Sequence, residues 1–289
     1  SVFLDKTFAD MQAQDGPLIV INASDLGYGV RFSFVQEYFD LLCSDLSSYP
    51  VARAVAASSA VPLLFNPVVV KNYPGCRVDG AAWMTAAGQG AMTNADLAEI
   101  IDGLKSYADK EKRQFVHLVD GGITDNLGLR ALYDVIEVAG GAGAYLQRMG
   151  RRPPRKFVVI SVDASTERQP TMDESARQPS LGDTLTAMSS VQLHRYNTAT
   201  KELLEESIAH WVTEVSTPQN RVESHFVQLG FHDYLESDKL QFFNRIPTSL
   251  DLSDEQVARL IAAGRDLLRR NPEFQRVVTD LGGVAPSAN

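Results

Sequence analysis

Phe115-Val116-His117-Leu118-Val119-Asp120-Gly121-Gly122-Ile123-Thr124-Asp125-Asn126-Leu127-Gly128 is the stretch from which the rest of the chain is best read. An apolar, β-branched run ends abruptly in an acid and two glycines. Asp125 and Asn126 then precede a helical pattern of Leu129, Leu132, Tyr133 and Ile136. That order predicts a buried strand, a sharp turn and a capped helix. Asp120 stands at the carboxyl end of its strand, where open α/β sheets place ligand crevices. Gly121 and Gly122 permit positive φ and close approach of other groups. An acid held there can orient or deprotonate a neighbour. Asp-Gly-Gly is also ordinary turn chemistry, so the flanking sequence has to decide between the two.

Working upstream, Leu18-Ile19-Val20-Ile21 within 17–23 reads as a buried strand, Asp25 to Gly29 as a turn, and Val30 to Phe32 as a short return strand. Ser33 and Gln36 have capping-box spacing ahead of Phe34, Tyr38, Leu41 and Leu42. Pro50 suits the first turn of the helix Val51 to Ala60, which must end before Pro62. Its small side chains let it lie close to a sheet or another helix. Pro67 to Val70 is a further strand, and 94–107 a helix with Leu97, Ile100, Ile101 and Leu104 inward.

Downstream, the helix after Asn126 runs to about Arg148 with a break at Gly140-Gly141-Ala142-Gly143. Those glycines do not follow a strand, so a dinucleotide loop is not indicated. Lys156 to Val162 is a near-continuous apolar strand, suited to a sheet covered on both faces. Residues 164–183, rich in Ser, Thr, Pro, Gln and charge, read as a long mobile loop or lid. From Thr184 to about Trp211 the pattern is helical, with Leu203, Leu204, Ile208 and Trp211 as the apolar set. Phe226 to Leu229 is a late strand. Ser253 with Gln256 caps another helix, and Asn271-Pro272 starts a last one that Gly282-Gly283 stops. Strands alternating with helices predict an α/β protein with a mainly parallel sheet. Residues 1–163 would form the domain that holds Asp120, and 164–289 a loop and a helical extension packed on it.

The composition limits the function. A net charge of -9, from 27 basic and 36 acidic residues in 289, gives no sign of a nucleic-acid protein. It also disfavours broad attraction to anionic membranes, though a local basic face leaves room for peripheral contact. The longest uncharged stretch, Ala54 to Val70, is too short to span a bilayer. Cys43 and Cys76 suffice for one disulfide, which would imply export, or stand as two buried thiols. No Cys/His cluster has zinc-ligand spacing, so no metal is assigned. His117 reads as a packing or hydrogen-bonded wall residue.

Two segments carry the argument beyond turn chemistry. Ala56-Ala57-Ser58-Ser59-Ala60-Val61-Pro62 leads to Phe65-Asn66-Pro67, and Asp120-Gly121-Gly122-Ile123-Thr124-Asp125-Asn126-Leu127 follows. This pair, in this order, resembles the downstream half of the patatin-like phospholipase family, and Leu18 to Gly27 is similar to the family segment before it. The likeness covers roughly residues 7–138. It implies a three-layer α/β/α fold and a Ser–Asp dyad in which Asp120 is the base, Gly121 and Gly122 support its turn, and Ser58, Ser59 and Pro62 line the pocket. It implies a lipid ester or phospholipid substrate and no cofactor. Asp79-Gly80-Ala81 is a rival for the aspartate, but lacks the preceding strand and the following Asn-Leu.

The family's nucleophile lies in Gly-x-Ser-x-Gly at a strand-to-helix elbow, and its oxyanion hole in a glycine-rich loop upstream of that. Neither pattern occurs in this sequence. Because both precede the matched segments in the family, the chain, which opens on a serine, is expected to be the carboxyl-terminal portion of a larger enzyme. Its fold would be incomplete at the N-terminal side and completed by an upstream polypeptide that carries the nucleophile. Many bacterial relatives are envelope proteins and others are delivered into host cells, so the envelope or secretion is the expected address. The competing readings are a catalytically inactive patatin-like module that binds a lipid or protein, and a scaffold in which Asp120 only caps the helix of Asn126.

Overall fold

The chain's computed structural model describes residues 3, 5–12, 17–62, 64–76, 84, 88, 95–166, 174, 176–247, 249 and 251–284. It has two units, Ser1–Arg152 and Pro153–Asn289. The boundary drawn from sequence after residue 163 falls instead ahead of the strand at Lys156, because that strand pairs with a later one.

The first unit contains, in order, α1 (Phe8–Gln12), β1 (Asn22–Asp25), β2 (Arg31–Ser33), α2 (Gln36–Leu41), α3 (Val51–Ser58), β3 (Val68–Lys71), α4 (Ala95–Lys105), β4 (Phe115–Val119), α5 (Gly122–Asp125), α6 (Leu129–Val138) and α7 (Ala142–Arg148). Its sheet has the order β2-β1-β4-β3. Every pairing in it is antiparallel, with Ala23 opposite Phe32, Ser24 opposite Val119, and Val69 opposite His117. The mainly parallel sheet expected from sequence is therefore not what holds Asp120. The turn after Asp25, closed by Gly29 N–H to Asp25 O at 2.8 Å, is too tight for anything but an antiparallel return.

Alternation along these strands decides the core. Ala23, Phe32, Val70, Val116 and Leu118 are buried on one face with Phe34, Phe39, Leu97, Ile101 and Leu104. Phe32 meets Phe34 and Tyr38 edge-on, at centroid distances of 5.3 and 5.7 Å. On the other face Ser24 and Val119 are buried, while Val69, Lys71, Phe115 and His117 are exposed. His117 is thus a surface residue, not a packed wall.

Several local expectations shift for identifiable reasons. The apolar run 18–20 is exposed and forms no strand; β1 starts at Asn22, where pairing with β2 turns Ala23 inward. Ser33 caps no helix, because it belongs to β2 and donates its hydroxyl to Asn22 Oδ1 at 2.8 Å. Pro50 is the N-cap of α3 and not part of its first turn, and Val51, Ala54 and Ala57 are the residues that this small-residue helix buries. The break between α6 and α7 is at Gly140 and Gly141, with φ of 93° and 99°. Cys43 and Cys76 are disulfide-bonded.

The second unit has β5 (Lys156–Asp163) parallel to β6 (Glu223–Gly230), in register from Lys156 opposite Glu223 to Asp163 opposite Gly230. The long helix α8 (Leu181–Val215) lies between them in sequence and buries Leu204, Ile208 and Trp211. It starts earlier than expected because Ser180 and Asp183 form a capping box, which shortens the segment read as a lid; residues 167–173 and 175 lie outside the described ones. Ile160 and Val162 are exposed, so β5 is not covered on both faces. Helices α9 (Ser237–Asn244), α10 (Asp254–Arg270) and α11 (Pro272–Asp280) pack with β6 around Val227, Leu229, Phe243, Leu267 and Val277. The caps expected at Ser253 and Asn271 both form. The protein is mixed α/β, and no helix among the described residues is long and apolar enough to cross a membrane.

Candidate active site

The two motif segments meet through their backbones. Asp120 N–H donates to Ala60 O at 3.0 Å, and Gly121 N–H donates to Ser58 O at 3.1 Å. The last turn of α3 thereby serves as acceptor for the turn after β4, and the acid is pinned where strand and helix end together. From the other side Ser24 donates its hydroxyl to Asp120 O at 2.8 Å and shares a second bond of 2.8 Å with Thr124 Oγ1. Gly121 is needed for contact: a Cβ there would sit 2.7 Å from Asn22 O in β1. At Gly122 a Cβ would meet the carboxylate of Asp120 itself at 2.9 Å.

The Asp120 side chain is half-buried. Its Oδ1 accepts from Gly122 N–H at 2.8 Å, and Oδ2 has no hydrogen-bond partner among the described residues. Burial raises the pKa of the carboxyl, and the Gly122 N–H opposes part of that rise. A carboxylate with one oxygen fixed, the other free and its basicity increased is suited to taking a proton. The same Oδ1 bond also closes the turn that leads into α5, which is a structural use of the residue. Because the sheet is antiparallel, the crevice rule for open parallel sheets does not apply here.

Ser58 is half-buried and its hydroxyl makes no hydrogen bond among the described residues. Ser59 is half-buried too, but its hydroxyl turns back to Val55 O at 2.7 Å, and Pro62 is exposed. The rival acid, Asp79, lies outside the described residues.

Reading the sequence missed what surrounds this turn. Ser24 and Asp125 are buried polar residues, and Asp125 accepts from Ala131 N–H in the first turn of α6 at 2.8 Å, while its Oδ1 has no partner among the described residues. Burial raises the pKa of Asp125. Arg31 binds Asp134 through two bonds of 2.7 and 2.9 Å, tying β2 to α6. Asp25 accepts from Tyr107 OH at 3.0 Å and from Arg113, which stacks between Tyr28 and Tyr107. The signal available in sequence was Asp25 and Arg31 beside apolar β-strand positions, with nothing to pair them. A separate recess in the second unit is lined by Asp163, Ser165, His194, Phe231, His232, Leu240 and Asn244, and contains none of the residues singled out from sequence.

Comparison with protein-family models, with curated proteins and with solved structures found no match to this chain.

Proposed function

We propose that this chain is the base-bearing part of a serine acyl-ester hydrolase of the patatin type, acting on a lipid ester or phospholipid. The observation that carries the reading is the clamp of Asp120 and Gly121 onto the end of α3, with Asp120 Oδ2 unpartnered among the described residues. The resemblance in sequence supports it, as does the raised pKa of that acid. In this reading an upstream segment supplies the serine and the oxyanion hole, and the three-layer α/β/α arrangement exists only in the completed enzyme. The exposed apolar residues Leu18, Ile19, Val69 and Phe115 are the kind of surface that a further segment would cover.

The serine oxygen attacks the ester carbonyl as Asp120 takes its proton. The tetrahedral oxyanion collapses, the alcohol leaves with the proton held by Asp120, and water then hydrolyses the acyl-enzyme by the same route. No metal enters these steps. The test is fluorophosphonate labelling of the native material with intact mass of every polypeptide, followed by ester turnover of Asp120→Asn. Label on a segment other than 1–289 and a fall in turnover of about 10²–10⁴, with the fold unchanged, is expected. Turnover within a few-fold of wild type would remove Asp120 from the mechanism. A folded sample that takes no label would turn the reading to a catalytically inactive lipid- or protein-binding module.

A further inference from the structure

Away from Asp120, three potential ligands converge at the start of β6. Glu223 and His225 are two residues apart on one strand, so alternation puts both on the same face, and the end of α11 brings Asp280 to them. One donor atom from each lies within 4.8 Å of the other two. His225 is only 8% exposed, and its Nε2 is buried without a hydrogen-bond partner among the described residues. It stands 3.4 Å from Asp280 Oδ2 without the direction of a hydrogen bond. Two donors about 2.1 Å from a tetrahedral zinc ion are themselves about 3.4 Å apart.

The other ring nitrogen explains why Nε2 is free to act as a ligand. His225 Nδ1 is 2.7 Å from Glu273 Oε1. A carboxylate that accepts from Nδ1–H fixes the tautomer with its lone pair on Nε2, the arrangement usual for histidines that bind zinc. Lys156 sets its positive charge between two of these groups: its Nζ is 2.5 Å from Glu223 Oε2 and 3.3 Å from Asp280 Oδ2. Lys156 is the first residue of β5.

We propose that Glu223, His225 and Asp280 form a site for a divalent zinc-class ion, with Glu273 orienting the histidine and Lys156 competing with the ion. A buried imidazole nitrogen among the ligands selects zinc-class ions over magnesium and calcium, which take oxygen donors. This site is independent of the Asp120 proposal.

Calorimetric titration of Zn²⁺ into tag-free, chelator-treated protein at neutral pH tests it. One ion per chain with a dissociation constant of about 10 μM or tighter is expected. Asp280→Asn, at an exposed helix end and checked for fold by circular dichroism, should weaken binding at least tenfold. Glu273→Gln should weaken it about 10- to 100-fold, and Lys156→Met should tighten it. No saturable Zn²⁺ binding by the wild-type protein, or equal affinity in wild type and Asp280→Asn, overturns the site. Equal affinity in Lys156→Met overturns the competition and places the ion elsewhere.

Discussion

Gly121→Ala is the substitution whose effect follows most directly from the geometry. The new Cβ would lie 2.7 Å from Asn22 O and 3.2 Å from Asn22 C, against an ordinary contact of 3.4 Å or more, so the turn has to retreat by about 0.7 Å. Neither neighbour gives easily. Asn22 is paired with Ser33 in β2, and the turn is held by Ser58 O and Ala60 O at 3.1 and 3.0 Å. Moving away from β1 presses the turn against those carbonyls and stretches the bond of 2.8 Å from the Ser24 hydroxyl to Asp120 O. Overpacking against backbone costs about 1–3 kcal/mol, and a lost bond adds about 1 kcal/mol, for roughly 2–4 kcal/mol in all. Because the chain has two units, a global melt would mix them. The suitable assay is amide hydrogen exchange read by mass spectrometry on peptides spanning 115–125, with peptides from 223–230 as internal reference. Exchange in the first segment should accelerate roughly 30- to 1,000-fold, with no change in the second. Acceleration of less than threefold at 115–125 would mean that the turn is not wedged between β1 and α3, and the account of how Asp120 is held would fall.

Other outcomes follow from the same contacts. Arg31→Met leaves Asp134 buried without its partner and should cost about 3–5 kcal/mol, read as a lower urea midpoint for the first unit; a midpoint equal to wild type would deny that pair its role in joining β2 to α6. Asp125→Asn removes a carboxylate whose folded pKa burial has raised, with desolvation outweighing the N–H bonds it accepts. A raised folded pKa means that stability is greatest below the unfolded carboxylate value, about 3.9, and falls as pH rises through the folded one. The variant should therefore gain on wild type between acid and neutral pH, and a constant difference at pH 3.5 and pH 7 would refute this. Reducing Cys43–Cys76, which closes a loop with a sequence separation of 33, should lower first-unit stability by about 3–4 kcal/mol; urea titrations with and without reductant measure it.

Much of the secondary structure was legible because it is local. Ser253 with Gln256, Asn271 before Pro272, and the paired glycines at 140 and 141 act within one helical turn, and each stands where the pattern put it. The strand before Asp120 was readable from its β-branched run, and the small residues of α3 announced its close packing. Leu18 to Ile21 misled because an apolar run says that a segment can be buried, not which neighbours are present to bury it. Ser33 misled because the capping-box spacing is shared by residues committed to a strand.

The sequence by itself determined the mixed α/β class, the caps of α10 and α11, the break between α6 and α7, and the choice of Asp120 and its two glycines as the candidate centre. Tertiary structure decided what those residues touch. The antiparallel order of the first sheet, the clamp of Ser58 O and Ala60 O on the Asp120 turn, the Arg31–Asp134 pair and the meeting of His225 with Asp280 all join positions far apart in the chain. Periodicity and capping reach only a few residues, whereas these contacts depend on which strands share an edge and on which side chains burial forces to find a partner.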